Sequence, residues 1–267
     1  MTALAPPTGV GELLREWRQR RRMSQLDLAN VAEVSARHLS FVETGRSKPS
    51  RELVLHLAEH LDVPLRERNA LLLAAGYAPV YQERSLEDDE MDPVRDALEL
   101  VLSGHEPYPA VIVDRRGDLV SANGPALTLF TAGVAEHLLE APINVYRLGL
   151  HPEGLAPRVR NAAAYTHHLL TRLQREVALS GDPALAALLE EVRGYPDLTH
   201  PATVDADPAR MIVLPMDFTT VDGEELSFFS TLSTFGTALD ITVAELSIEA
   251  FFPADEATKA HLQAIGG

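Results

Sequence analysis

The sequence predicts two domains of different fold class: an N-terminal all-α domain of five helices over residues 10–78, and a C-terminal α+β domain with an antiparallel sheet over residues 94–265. Apolar residues recur with helical spacing as far as about residue 78, and β-type runs appear later on both sides of a helical middle. Between them lies an acidic stretch nearly free of aliphatic residues, so we expect residues 79–93 to form an acidic, solvated linker.

The composition describes a globular chain whose charge is divided unevenly. Of 267 residues 46% are hydrophobic, and the absence of cysteine excludes a disulfide framework, a thiolate nucleophile and thiolate metal sites. The net charge is -16, yet residues 1–80 carry a net +2 and the remaining 187 residues carry -18. The N-terminal end could therefore face phosphate groups, whereas the rest of the chain would repel them.

The start of the chain, MTALAPPTGV, lacks the cationic residues and apolar core of a signal peptide. No apolar run approaches the roughly 20 residues that a membrane span requires. We therefore expect a cytoplasmic protein without a membrane partner.

Two serines organise the centre of the N-terminal domain. Ser24 caps the helix SQLDLANVA, with Asp27 in the position of a capping-box acid, and Ser35 caps ARHLSFVE, which Gly45 ends. The other predicted helices lie at residues 10–21, 51–61 and 65–75. Two caps 11 residues apart, with a short turn between the helices, predict a helix-turn-helix.

Residues 10–62, and above all MSQLDLANVAEVSARHLSFVETGRSKPS, resemble the Xre or phage-repressor family of helix-turn-helix domains, which have a lambda-repressor-like fold. The resemblance rests on Ser24-Gln25, Ala29, Val34, Leu39, Val42 and the Glu43-x-Gly45 ending. It implies a homodimeric transcriptional regulator that binds a double-stranded DNA operator with its recognition helix in the major groove. It also implies that Arg18 pairs with Glu43 beneath that helix.

Carried over to this sequence, the resemblance implies eight DNA-binding residues: Gln25, Ala36, Arg37, Ser40, Phe41, Arg46, Ser47 and Lys48. Arg37 could donate two hydrogen bonds to a guanine, and Phe41 could pack on a thymine methyl group or, alternatively, be buried against the second domain. Arg46, Lys48 and the amides around Ser47 would hold phosphates.

The second domain is predicted from three groups of elements. Residues 110–122, AVIVDRRGDLVSA, are two β-type runs around a turn, and Asn123 caps the helix that follows. Helices are predicted at 156–179 and 183–193, and strands at 211–218, 226–235 and 240–252.

The strand, turn, strand and capped helix at the start of this domain resemble the opening of a PAS domain. The stretches NVYRLGLHPEGLAPRV and FFSTLSTFGTALDITVAELSIEAFFPADEAT look like the MmyB-like ligand-binding domain that follows an Xre-type helix-turn-helix in bacterial regulators. This resemblance covers about residues 94–265. It implies a PAS-like sensor with an apolar pocket for a small, fatty-acyl-like ligand, and no other cofactor.

The candidate ligand-binding residues are Arg147, His151, Tyr165, His167, His168, Met216, Phe228 and Leu232. An arginine can bind a carboxylate through two hydrogen bonds, and apolar strand positions would enclose the rest of a ligand. The alternatives are that Arg147 forms a surface ion pair and that the apolar residues only fill a core.

Catalysis and a metal site are not expected. His167 and His168 are adjacent and point to different faces of a helix, and the sequence has no HExxH, GxSxG, P-loop or GxGxxG motif. The alternative to a sensor is a domain that serves protein interaction or dimerisation and binds no ligand.

Overall fold

The computed structural model describes residues 9–196, 198 and 215–265 and divides into two compact units. The first unit runs to Arg84 and also takes in Thr237–Ala244, and the second comprises Ser85–Gly236 and Glu245–Gly267. The chain therefore contributes to the first unit twice, whereas the sequence indicated a single passage over residues 10–78.

The first unit contains the five predicted helices, α1 (Val10–Arg20), α2 (Gln25–Val31), α3 (Ala36–Glu43), α4 (Arg51–His60) and α5 (Leu65–Ala74). Ser24 and Asp27 form a reciprocal capping box at the start of α2, and the Ser35 hydroxyl accepts a hydrogen bond from the amide of His38 at the start of α3. These caps satisfy amides that have no partner within their helices. The predicted helix-turn-helix is confirmed.

The core of this unit holds α1 close to α3. Leu14 and Trp17 of α1 are buried with Leu39 and Val42 of α3. A Cβ atom added to Gly11 would lie 2.3 Å from the carbonyl oxygen of Val42, so only glycine permits this approach of the two backbones. The packing fixes α3 on the helices behind it.

The prediction of a continuous strand over residues 240–252 is wrong in its first part. Residues Ile241–Ala244 form a short helix, α11, which belongs to the first unit. The carboxylate of Asp240 accepts a hydrogen bond from the amide of Thr242 at 2.9 Å and pairs with Arg84 at 3.0 Å. Local capping and this ion pair outweigh the β propensity of Ile241, Thr242 and Val243.

The second unit is built on a five-stranded antiparallel sheet in the order β2-β1-β5-β4-β3. The strands are β1 (Ala110–Val113), β2 (Leu119–Ala122), β3 (Met216–Thr219), β4 (Glu225–Thr234) and β5 (Ser247–Pro253). Gly117, with φ of +79°, turns β1 into β2 as the hairpin signal predicts. The predicted α+β class and PAS-like sheet are confirmed, whereas residues 211–214 of the predicted strand 211–218 lie outside the described residues.

Helices cover both faces of this sheet. The helices are α6 (Asp92–Gly104), α7 (Gly124–Thr131), α8 (Val145–Leu150), α9 (Ala162–Ser180), α10 (Pro183–Arg193) and α12 (Glu256–Ile265). Leu98 and Leu102 of α6 pack on Ile112 and Ile248, and α7 and α8 pack on the opposite face. All four residues of β1 are buried for this reason.

The acidic stretch before the second domain is not solvated throughout. A 3-10 turn at Asp89–Met91 precedes α6, and the side chain of Met91 is buried. No helix in the described ranges is long and apolar enough to cross a membrane.

Candidate functional sites

A buried ion pair supports α3 from below. The Nε and NH2 groups of Arg18 donate to the two carboxylate oxygens of Glu43 at 2.7 and 2.9 Å, and the side-chain amide of Gln25 donates to Glu43 Oε2 at 2.8 Å. Burial raises the pKa of Glu43, but the hydrogen bonds from Arg18 and Gln25 outweigh it and leave the pKa below its ordinary value. The pair that the family resemblance implied is present, and it also holds the side chain of Gln25.

The outer face of α3 carries Arg37 and Phe41 together. The Arg37 guanidinium lies 5.4 Å from the centre of the Phe41 ring, within the range of a cation–π contact, with Arg37 exposed and Phe41 half-buried. Ala36, another of the predicted DNA-binding residues, is half-buried against the core of this unit. Ser40 is half-buried, and the exposed His38 was not singled out by the sequence analysis.

Two backbone amides of the loop after α3 are already hydrogen-bonded, while its basic side chains are exposed. The backbone amides of Arg46 and Ser47 both donate to the carbonyl oxygen of Phe41, at 2.8 and 3.1 Å. Two of the amides around Ser47 that were expected to hold a phosphate are thus already hydrogen-bonded within the chain in this conformation. The side chains of Arg46 and Lys48 are exposed, and Lys48 lies over the ring of Tyr77.

An apolar cavity lies between the sheet and the helices α7, α8 and α9 of the second unit. Its volume is about 100 Å³. A water molecule needs roughly 10–15 Å³ by the same measure, so the cavity has room for several non-hydrogen atoms. Of the predicted ligand-binding residues it brings together four: Tyr165, His168, Met216 and Phe228. Val111, Phe130, Leu148 and Phe251 complete much of the apolar wall.

One side of this cavity is polar. Arg172 donates to Glu249 at 2.8 Å, and the hydroxyl of Ser230 donates to the other carboxylate oxygen at 2.9 Å. Burial raises the pKa of Tyr165, whose hydroxyl has no hydrogen-bond partner among the residues that the structure describes. Sequence reasoning missed Arg172, Ser230 and Glu249, although a glutamate inside the apolar run SIEAFF was a usable signal.

Four predicted ligand-binding residues lie outside the cavity. Arg147 forms a bidentate ion pair with Glu191 at 2.7 and 2.8 Å, which agrees with the alternative prediction of an ion pair for this residue. Arg147 and His151 line a separate depression. His167 is exposed on the surface of α9. Leu232 is 50% exposed, like the other residues in the second half of β4.

His151 belongs to a second group of polar side chains. The potential ligand atoms of His137, His151 and Glu153 all lie within 4.8 Å of one another. However, the Nδ1 atom of His151 accepts a hydrogen bond from the amide of Glu153 at 3.1 Å, so the neutral ring carries its proton on Nε2. A metal ion would have to displace that hydrogen bond or that proton, and we assign no function to the group.

Comparison with known families agrees with this division of the chain. A helix-turn-helix domain model matches residues 10–71, and the model described as "MmyB-like transcription regulator ligand binding domain" matches residues 94–265. Together with the capped helix pair and the PAS-like sheet, these matches define a helix-turn-helix transcriptional regulator with a ligand-binding domain. The chain belongs to the MmyB-like family of these regulators.

Curated relatives share part of the chain. A provisionally named HTH-type transcriptional regulatory protein of Methanococcus maripaludis is 28% identical over 109 residues, which are 41% of this chain and 30% of the relative. One from Methanoculleus marisnigri is 33% identical over 118 residues, 43% of this chain and 38% of the relative. The chain thus spans about a third of the length of these relatives.

Among solved structures, the PAS domain of BvgS from Bordetella pertussis matches 65% of this chain and 96% of its own, at 15% identity and a TM-score of 0.30. The assignment of the second unit rests on its strand order and on the family match.

Proposed function

We propose that this protein is a cytoplasmic, homodimeric, sequence-specific DNA-binding regulator whose second domain senses a small apolar ligand of fatty-acyl type. The observation that carries the ligand proposal is the apolar cavity with a polar side, inside a domain of a ligand-binding family. The DNA-binding proposal is supported by the exposed Arg37 on a helix that the Arg18–Glu43 pair holds in place.

In the proposed complex, α3 lies in the major groove of the DNA. Arg37 would donate to guanine O6 and N7, with the ring of Phe41 orienting the guanidinium and contacting a thymine methyl group. Arg46 and Lys48 would contact phosphates and set the register without reading sequence. A single domain of this size buries little DNA, so two copies on two half-sites would give the affinity and the specificity.

The DNA-binding proposal is tested by comparing Arg37→Ala with Lys48→Ala on a selected operator and on random DNA. Arg37→Ala should weaken operator binding by about 1–3 kcal/mol and leave random DNA nearly unchanged, because a base contact is lost. Lys48→Ala should weaken both and reduce the slope of log affinity against log salt by about 1. Arg193→Ala, at the end of α10, is the matched charge control. Equal losses on both DNAs for Arg37→Ala would contradict the base-reading role.

The acidic charge of the second domain favours a different function, in which this domain binds a protein partner and no ligand. Residues after 80 carry a net charge of -18, which suits a basic partner surface. This alternative needs no cavity. Filling the cavity should therefore leave the binding of a protein partner unaffected.

Ala122→Leu separates the two functions, because Ala122 lines the cavity while Val120, two residues earlier on β2, is exposed outside it. If the cavity binds a ligand, native mass spectrometry should show a small molecule on the wild type and on Val120→Leu but not on Ala122→Leu. The ligand should also change operator affinity, and couplings of this kind typically amount to about 1–3 kcal/mol. Equal occupancy in Ala122→Leu and the wild type would contradict binding in this cavity.

A further inference from the structure

Arg158 occupies a fixed position beside the edge strand of the sheet. It ends a 3-10 turn, Ala156–Arg158, and its amide donates to the carbonyl oxygen of Leu155 at 2.9 Å. The next residues pair with β3, since Val159 forms an antiparallel bridge with Phe218 and the amide of Arg160 donates to the backbone carbonyl oxygen of Asp217 at 2.8 Å. The backbone on both sides of Arg158 is thus held by hydrogen bonds.

The guanidinium of Arg158 is buried and lacks a hydrogen-bond partner among the residues that the structure describes. All three of its nitrogen atoms are shielded from solvent. It lies 4.8 Å from the centre of the Phe218 ring, which is fully buried. Burial lowers the pKa of Arg158, and no carboxylate among the described residues compensates the lost hydration of the guanidinium. The aromatic face attracts the cation but leaves its five N–H groups unsatisfied.

Three other arginines of the second unit, Arg147, Arg160 and Arg172, are paired with carboxylates. Arg160, two residues later, pairs with Glu225 at 2.7 Å, Arg147 pairs with Glu191, and Arg172 pairs with Glu249. Buried charges are normally paired, and a buried guanidinium without a partner is unfavourable in the unliganded state. In a domain rich in carboxylates, a buried guanidinium without a partner among the described residues leaves a place for the acidic group of a ligand.

Arg158 is close to residues of the cavity wall. Leu155, at the other end of its turn, lines the cavity, as does Met216 of the adjacent strand. The guanidinium of Arg158 lies against one face of the Phe218 ring. Phe218 contacts Phe130 edge to face, with ring centres 6.0 Å apart, and Phe130 also lines the cavity. A ligand with its apolar part in the cavity would need to extend past Leu155 to reach the guanidinium.

We propose that Arg158 binds the acidic group of the ligand, so that the sensor selects amphiphiles with an apolar chain and a terminal oxyanion such as a carboxylate over neutral amphiphiles. The guanidinium matches a carboxylate with two parallel N–H···O bonds. This inference rests on the proposed sensing of an apolar ligand and adds the residue that recognises charge. Arg147, the arginine that the sequence indicated for this role, already has Glu191 as its partner.

The test compares octanoate with 1-octanol, measured by calorimetry on the full-length protein after extraction of bound small molecules. The wild type should bind octanoate at least about tenfold more tightly than 1-octanol, the size of a strong charge-assisted hydrogen bond. Arg158→Met should abolish this preference by weakening octanoate alone, with 1-octanol affinity within about twofold. Arg160→Met, which removes a neighbouring exposed arginine, should keep the preference. Equal affinities in the wild type, or a preference retained in Arg158→Met, would overturn the proposal.

A ligand-free measurement separates this inference from the proposed function. Since Arg158 is buried without a partner, unliganded Arg158→Met should unfold at a higher temperature than the wild type, while Arg160→Met should not. A lower unfolding temperature for Arg158→Met would mean that the guanidinium has a structural partner and would overturn the proposal. If neither octanoate nor 1-octanol binds the wild type, the apolar-ligand function fails. Stabilisation by inorganic phosphate that requires Arg158 would then assign the residue to a free anion and overturn its role toward an amphiphile.

Discussion

Glu43 shows how one side chain can connect several helices of a small domain. Its carboxylate accepts hydrogen bonds from Arg18 of α1 and Gln25 of α2, while the residue itself ends α3. Residue-scale pairing of this kind was predictable here only because the sequence resembles a known family. Arg147–Glu191 and Arg172–Glu249 join residues 44 and 77 positions apart, and no local pattern identifies such partners.

Glu43→Gln should destabilise the first unit by about 3 kcal/mol, because Arg18 would remain buried without a countercharge. Trp17 is the single tryptophan of the chain and lies in the core of this unit, so its fluorescence during urea unfolding reports the change selectively. The more exposed pair Arg66–Glu83 of the same unit is the control, and Glu83→Gln should cost less than about 1 kcal/mol. If Glu43→Gln costs less than about 1 kcal/mol, the Arg18–Glu43 pair adds little to stability.

The contribution of Glu43 should depend on pH in a defined direction. Its pKa in the folded protein is below the ordinary value, so ionised Glu43 stabilises the fold fully above the unfolded-state pKa of about 4.3. That contribution is lost as the pH falls through the lower folded-state pKa. The difference in unfolding free energy between the wild type and Glu43→Gln should therefore narrow below about pH 4.3. A constant difference from pH 7 to pH 3 would contradict this assignment.

At the scale of elements, the sequence predicted helices and hairpins that carry their own caps and turns. The five N-terminal helices, the β1–β2 hairpin and the cap at Asn123 follow from local signals, and all are present. The region after Asp240 was predicted as strand because its composition is strand-like, with the β-branched residues Ile241, Thr242 and Val243 in succession. A helical turn forms there because the Asp240 carboxylate accepts a hydrogen bond from the amide of Thr242 and pairs with Arg84, 156 positions away.

Asn123 does more than cap α7. Its side-chain oxygen accepts from the amides of Ala110 and Ala126, at 3.0 and 3.1 Å, and its side-chain nitrogen donates to the carbonyl oxygens of Tyr108 and Leu102. Asn123→Ala should therefore destabilise the second unit by about 2–4 kcal/mol, more than the roughly 1 kcal/mol of an ordinary cap. The measurement is urea unfolding followed by far-ultraviolet circular dichroism.

Asn123→Asp is the matched variant, since it keeps the acceptor for both amides and loses the donor to both carbonyl groups. It should also destabilise the unit. If alanine costs no more than about 1 kcal/mol, or if aspartate costs nothing, Asn123 acts as a helix cap alone.

At the scale of the whole molecule, the chain crosses between its two units more often than a tandem arrangement requires. The segment Thr237–Ala244, which connects β4 to β5, belongs to the first unit. The amide of Ile241 donates to the carbonyl oxygen of Gln82 at 2.8 Å, and the hydroxyl of Thr242 donates to that of Arg84 at 2.6 Å. The strands that carry Ser230 and Glu249 are thus continuous in sequence with a segment of the DNA-binding unit.

Asp240→Ala should release this segment, because it removes the ion pair with Arg84 and the hydrogen bond that begins α11. Hydrogen exchange followed by mass spectrometry should show faster exchange in peptides that contain Ile241 and Thr242, with peptides from α1 and α3 unchanged. Glu83→Ala removes the partner of Arg66 on the same stretch of chain and should leave exchange at Ile241 unaltered. Unchanged exchange in Asp240→Ala would show that the backbone hydrogen bonds alone hold the segment.

The sequence alone determined the helix-turn-helix and the α+β class, because caps, turns and hydrophobic period are local properties of the chain. The family of the second domain was predicted from its resemblance to a known family and is confirmed by the family match. The sequence also identified four residues that line the cavity. Tertiary structure decided how the arginines of the second unit are paired. Arg147 pairs with Glu191 and Arg172 pairs with Glu249. Arg158 is buried against Phe218 and has no acidic partner among the described residues. Which charges meet depends on segments that folding brings together from distant positions, and the resulting burial is what makes an unpaired charge significant.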